Sequence, residues 1–111
     1  MRKPLRKVSK GQSARLRLYR AVRQRFLLDN PICQACIPIS RHVGFPLKDA
    51  RWAEDVHHKY GRIGPLLTWT PGFVAICRNC HHYIGEHPNI ARKLGLLAST
   101  GQWNNTALAK Q

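Results

Sequence analysis

Two Cys-x-x-Cys pairs, Cys33-Gln34-Ala35-Cys36 and Cys77-Arg78-Asn79-Cys80, constrain this chain more than any other feature. A two-residue gap lets both sulfurs of such a turn point at one ion, and two turns complete the tetrahedron that zinc prefers. With four thiolates the ion has no open position, so it is structural. Forty residues lie between Cys36 and Cys77, so the closed knuckle ties distant parts of the chain together. The competing readings are disulfides in a secreted basic protein and a thioredoxin-like redox pair. Against them stand the lack of a signal-peptide h-region, the lack of a βαβ pattern, and the presence of two pairs.

Such a tie matters because the chain is short. It has 111 residues, which makes one domain the default. Residues 1–13 read as a flexible basic arm and 98–111 as a polar C-terminal tail, which leaves 14–97 as the domain. A unit of that size buries a marginal core, and a bound structural metal adds to it.

The charge is lopsided. Nineteen Lys and Arg oppose five acids, for a net charge of +14. Ten of the nineteen lie between Arg2 and Arg25, and no acid precedes Asp29. A field of that sign favours polyanions, chiefly nucleic acid. A solvated basic tail, a membrane-surface segment and a nuclear-import signal are the plainer readings. The helical part lacks the clean amphipathic face of a membrane-surface helix. No apolar run is long enough to span a bilayer, so no membrane partner and a cytoplasmic location are expected.

Hydrophobic spacing predicts a helix from a Ser13 cap to about Leu28, with Leu18, Val22 and Phe26 as its stripe and Tyr19 beside it. Asn30-Pro31 ends it. Ile37 to Lys48, with two prolines and Gly44, reads as a loop. Glu54–His58 and Phe73–Ile76 read as short strands, Asn79–Gly85 as a helix, and Pro88 opens a last helix through Ala91, Leu94 and Leu97.

The histidines bring chemistry. His57 and His58 end a strand, and His81 follows the last cysteine directly. Adjacent side chains at a strand end can diverge, one toward a metal and one toward a water. An imidazole suits proton abstraction at neutral pH, and a cation suits the charge that develops on a phosphate. The plainer reading is that these are surface or zinc-adjacent histidines with no chemistry.

Asp55-Val56-His57-His58-Lys59-Tyr60-Gly61-Arg62 and Ile76-Cys77-Arg78-Asn79-Cys80-His81 resemble the HNH endonucleases. The continuation from Pro88 to Leu97 resembles a variant found in bacteriophages and prophages, and the resemblance spans about residues 31–97. It implies an α+β fold: a small ββα-metal (His-Me finger) core with a four-cysteine structural zinc knuckle and flanking helices. It implies a metal-dependent endonuclease hydrolysing DNA, in a bacterial or phage-infected cell. His58 matches the general base. His57 occupies the place often held by a metal-binding Asp, and His81 matches the second ligand of a catalytic divalent ion. Cys33, Cys36, Cys77 and Cys80 match the structural Zn²⁺. The catalytic cation of such enzymes is Mn²⁺, Ni²⁺, Zn²⁺ or Mg²⁺, and two imidazoles favour the softer of these over Mg²⁺.

Gly72, in Thr70-Pro71-Gly72-Phe73, stands where the family carries the Asn that braces the connection and helps orient the base. Here a backbone carbonyl, Thr68 or Thr70 would orient His58. Lys59, Arg62 and Arg78 flank the site and would grip DNA phosphates with little sequence specificity. Trp52 and Trp69 read as core rather than base-stacking residues, and His82 and His87 as surface positions. The alternative function is a non-catalytic zinc-containing nucleic-acid-binding module, or an accessory factor of phage packaging or recombination proteins. A zinc-ribbon interaction protein without nucleic acid is the third reading.

Overall fold

The computed structural model describes residues 10–44 and 50–110. Most of the basic arm, and residues 45–49 of the expected loop, lie outside these. The described residues form helices around one two-stranded antiparallel sheet, an α+β arrangement.

Helix α1 spans Lys10–Asp29. It begins before the expected Ser13 cap, so the last part of the arm is helical. Asn30 closes it: its backbone N–H and its side-chain amide both donate to the Phe26 carbonyl, at 2.8 and 3.0 Å. The face turned to the protein carries Tyr19, Val22, Arg23 and Phe26. Phe26 and Tyr19 meet the Phe73 ring edge-on, at 5.3 and 6.4 Å between centroids. Leu18, expected in the apolar stripe, points outward and is 55% exposed. Positions 19, 22, 23 and 26 follow the i, i+3, i+4, i+7 spacing of one helical face, and Leu18 lies off it.

The segment 36–43 is a helix, not a loop. Helix α2 spans Cys36–Val43. Its first i→i−4 bond runs from Ile39 N–H to the Ala35 carbonyl. Pro38 therefore sits in the first turn, where its missing N–H would have had no partner anyway. Gly44 ends the helix at φ +76°, its N–H donating to the Ser40 carbonyl. A left-handed residue at that place favours glycine.

Strand β1 (Asp55–His58) pairs with β2 (Phe73–Ile76), with His57 opposite Val74 and His58 opposite Phe73. All four β2 residues are buried. The first cysteine turn is fastened beside this sheet. Gln34 N–H donates to the Ala75 carbonyl, Ala75 N–H donates back to the Gln34 side chain, and Cys33 N–H donates to the Arg51 carbonyl.

Helix α3 (Arg78–Glu86) follows β2 with Cys77 as its N-cap residue, close to the expected bounds. Helix α4 spans only Pro88–Lys93. Gly95, at φ +76°, reverses the chain, and Leu96 N–H donates to the Ala91 carbonyl. Leu96, not Leu97, is thereby driven into the core.

Residues 98–110, expected to form a tail, are folded onto the body. Ala98 N–H donates to the Lys59 carbonyl and Asn104 N–H to the Tyr60 carbonyl. A 3-10 turn, Thr106–Lys110, packs on the 3-10 turn Gly64–Thr68. The polar residues build this segment instead of solvating it. The Asn105 amide donates to Gln102, and the Asn105 side-chain oxygen accepts from Ala107 N–H. Gly61, at φ +98°, lets Asn104 approach so closely that any Cβ there would collide with it.

The core is thin. The largest side chains with essentially no exposure are Leu66, Ile76 and Cys77. One of the three is a cysteine of the cluster, so the cysteines occupy the place a larger domain would fill with aliphatic residues.

Candidate functional site

Cys33, Cys36, Cys77 and Cys80 are all buried, and their sulfurs lie within 4.8 Å of one another. Cys36 is 3.8 Å from Cys77 and 3.7 Å from Cys80, sulfur to sulfur. Disulfide sulfurs would be about 2.05 Å apart. Four sulfurs each about 2.3 Å from a tetrahedral ion are about 3.8 Å apart. The cluster thus has the donor set and spacing for a metal ion such as zinc, and not for disulfides. A hydrogen bond from Cys80 is the chief cause that holds the Cys33 thiol down to about 4, while that contact and burial push the Cys80 thiol up. Thiolates are the form that binds a metal, so loading such a site releases protons. The N-terminus of α3 at the cluster further favours negative charge.

The knuckle positions the histidines. His81 N–H donates to the Cys77 carbonyl at 2.9 Å, the first helical bond of α3. This sets the His81 side chain one turn on from Cys77, beside β1. Successive strand residues point to opposite faces, so His57 and His58 diverge, as expected. His57 turns toward α3, where its ring lies 5.4 Å from the His81 ring at 66°. His58 turns toward α1, packing at 4.7 Å against Phe73 and 5.4 Å against Tyr19. The fold thus brings His57 and His81 together and leaves His58 on the other side of the strand.

The hydrogen bonds decide which ring nitrogens are available. A carbonyl only accepts, so His57 donates Nε2–H to the Leu96 carbonyl at 2.7 Å. Its Nδ1 then carries the lone pair. His81 Nδ1 lies 3.5 Å from Asp55 Oδ2, which leaves Nε2 for another partner. Metal-bound histidines are held in this way, with the second nitrogen donating to a carbonyl or carboxylate. With bonds of about 2.1 Å, two imidazoles on one ion place their centroids roughly 4.5–5.5 Å apart, which the observed separation matches.

His58 donates Nε2–H to the Leu67 carbonyl at 3.1 Å. A backbone carbonyl, not Thr68 or Thr70, orients it. Burial lowers its pKa, and the charges of Arg62 and His81 add to the effect against the Leu67 hydrogen bond. Burial likewise holds His57 down to about 4. Both rings are neutral at neutral pH, the state a ligand or a base requires.

Gly72 is not held there by its backbone angle. A Cβ at Gly72 would stand 3.0 Å from Trp69 Cε3 and 3.4 Å from Tyr60 Cδ2. The aromatic pair Tyr60–Trp69, at 5.7 Å, occupies the space a longer side chain would need. Trp69 is thus half-buried in packing, as expected. Trp52 is not: it is 71% exposed, held by a bridge to Ile32 at the periphery.

Of the expected phosphate contacts, Arg62 lies over the Tyr19 ring at 5.4 Å, on the His58 side. Lys59 lies 5.5 Å from the Tyr60 centroid. Arg78 is exposed and pairs with Glu54 at 3.4 Å. His82 and His87 are exposed, as expected.

Three residues of the site region escaped the sequence reading. Asp55 orients His81. Arg92 and Trp103 line, with His57 and His81, a cavity of about 420 Å³. Asp55 had a signal, since it is one of only five acids and stands two residues before His57. Trp103 had none, because it belongs to the segment read as a tail. Among the described residues no helix is long and apolar enough to cross a membrane. Comparison with protein-family models, curated proteins and solved structures finds no match.

Proposed function

We propose that this chain is a metal-dependent endonuclease that hydrolyses DNA phosphodiester bonds on a ββα-metal core. The observation that carries the reading is the His57–His81 pair. His57 has Nε2 tied to the Leu96 carbonyl, His81 has Nδ1 3.5 Å from the Asp55 carboxylate, and the two rings meet edge-on with centroids 5.4 Å apart. The order β1, β2, α3, with the cysteine cluster at the β2–α3 junction, supports the same reading.

In this reading His57, through Nδ1, and His81, through Nε2, would hold a divalent ion, and the four cysteines would hold a structural zinc. Such an ion would supply positive charge for the phosphate and the departing 3′ oxygen. The Leu96 carbonyl and Asp55 keep the two rings aimed. His58 is the base, taking the proton of the attacking water at Nδ1; because its ring lies across β1 from His57 and His81, this step requires the ring to leave its packing on Phe73 and Tyr19. A depressed pKa keeps that nitrogen free at neutral pH. The departing 3′ oxygen takes a proton from solvent, so the products carry 5′-phosphate and 3′-hydroxyl ends. Arg62, Lys59 and Arg78 hold the DNA backbone, and the +14 charge gives a salt-sensitive affinity.

The test is plasmid cleavage with Mn²⁺ or Ni²⁺ by the zinc-loaded protein and its His58→Ala, His57→Ala and His81→Ala variants. All three variants are expected to lose at least about a hundredfold in rate. Equal cutting by wild type and His58→Ala removes His58 from the mechanism.

A second reading is a nucleic-acid-binding or phage accessory module with one zinc and no catalysis. The burial of His58, at 5% exposure, favours it, as does Gly72. It predicts a single zinc per chain and no second divalent site.

A further inference from the structure

The cavity beside His57 and His81 has a second wall that the proposed chemistry does not use. Arg92, on α4, is half-buried and held at two points. Its Nε–H donates to the Ala98 carbonyl at 3.3 Å, and Nη1–H donates to Asn89 Oδ1 at 3.0 Å. Nη2 has no hydrogen-bond partner among the described residues. The guanidinium is therefore pre-positioned in the cavity wall with donors to spare, the condition for gripping a phosphate oxygen.

Trp103 stands at the same cavity. Its backbone N–H is fixed to the Ser99 carbonyl at 3.0 Å, yet the residue is 45% exposed. Its indole has no ring partner among the described residues. Ile84 and Leu97 line the cavity beside it. A large aromatic left open beside an apolar cavity marks a surface that a ligand covers. At about 420 Å³, the space suits one small ligand and not a double helix.

We propose that this cavity is a subsite for a single unpaired nucleotide of a DNA strand, with its base stacked on Trp103 and a phosphate on Arg92. The proposal rests on the DNA-cleaving reading and sharpens it: the substrate class is DNA with an unpaired nucleotide at the cut, as in single strands, flaps and junctions. In an intact duplex both faces of every base are already stacked, so the indole has nothing to take until a base leaves the helix. Unpaired DNA meets no such cost, and base–aromatic stacking then adds directly to affinity. The strongly basic chain supplies the complementary charge for the rest of the strand.

Fluorescence anisotropy tests it. The zinc-loaded full chain is titrated into a labelled single strand and into the matched duplex, with no second divalent ion added, so that binding is read without cutting. Trp103→Ala is expected to weaken single-strand binding about 5- to 100-fold and duplex binding by less than about twofold. Trp103→Phe should retain most of the single-strand affinity. Arg92→Gln should weaken single-strand binding and lower the slope of log affinity against log salt by about one. Zinc content and melting temperature confirm that each variant is folded.

Wild-type affinity in Trp103→Ala, or an equal loss on single strand and duplex, overturns the subsite. The two readings fail separately. Trp103-dependent single-strand binding without any cleavage upholds the subsite and removes the nuclease. Cleavage in Mn²⁺ that is indifferent to Trp103 on both substrates upholds the nuclease and removes the subsite.

Discussion

Asp55 Oδ2 lies 3.5 Å from His81 Nδ1, and Asp55 Oδ1 lies 3.9 Å from Arg23 Nη2. One carboxylate thus links the long N-terminal helix to the helix that carries the second proposed metal ligand. Arg23 also donates to the Glu54 carbonyl at 2.9 Å, which keeps the strand end and α1 in register.

From this link we expect Asp55→Asn to weaken binding of Mn²⁺ or Ni²⁺ by about 10- to 100-fold, the usual cost of removing a partner that orients a ligand histidine. The zinc content should be unchanged, because Asp55 is not one of the four cysteine-cluster ligands. Calorimetric titration of the zinc-loaded variant checks this. Wild-type affinity would show that His81 is oriented without Asp55.

The cysteine cluster should be a condition of folding. Metal analysis is expected to give one zinc per chain. Cys77→Ser or strong chelation should abolish the cooperative thermal transition, because the aliphatic core around Leu66 and Ile76 is too small alone. A cooperative melt in the metal-free protein would contradict this.

Acid should destabilise the protein through His57. Its native pKa is about 4, against about 6.5 unfolded. Between these values the unfolded chain binds the extra proton, so stability rises with pH. The contribution is complete above about pH 6.5 and is lost as the pH falls toward 4. Urea unfolding at pH 7 and 5.5 should show a larger loss for wild type than for His57→Gln. Cobalt–thiolate absorption at each pH follows the cysteine site separately. Equal losses in the two proteins would count against a buried neutral His57.

Placing an Asn at Gly72 should harm the protein. The new side chain would press on Trp69 and Tyr60, and overpacking of that kind costs about 1–3 kcal/mol. Gly72→Asn is expected to melt several degrees lower with no gain in cleavage. A more stable or faster variant would mean that the Tyr60–Trp69 pair yields easily.

Legibility in the sequence followed the range of the interactions concerned. The two Cys-x-x-Cys turns, the strands at Asp55–His58 and Phe73–Ile76, and the helix carrying His81 are local patterns, visible within a few residues. The divergence of His57 and His58 also follows from strand alternation alone. The helix at Cys36–Val43 was hidden because Pro38 counts as a breaker unless its place in the first turn is known. Leu18 was misplaced because arginines surround α1, and only packing against Phe73 selects the face with Tyr19 and Phe26.

What the sequence determined by itself is therefore the metal-binding vocabulary: which residues are ligand-type, and which turn, strand or helix bears them. Tertiary structure alone decided how they are aimed. The Leu96 carbonyl that fixes His57, the Leu67 carbonyl that fixes His58 and the Asp55 carboxylate that faces His81 become partners only after folding. The same holds for Trp103, which a run of polar residues disguised as tail. Those residues bond to one another and to the end of β1, and bring the indole to the cavity. The physical reason is common to all these cases. A side chain's type is local information, but its protonation, orientation and partner depend on backbone groups brought beside it from elsewhere in the chain.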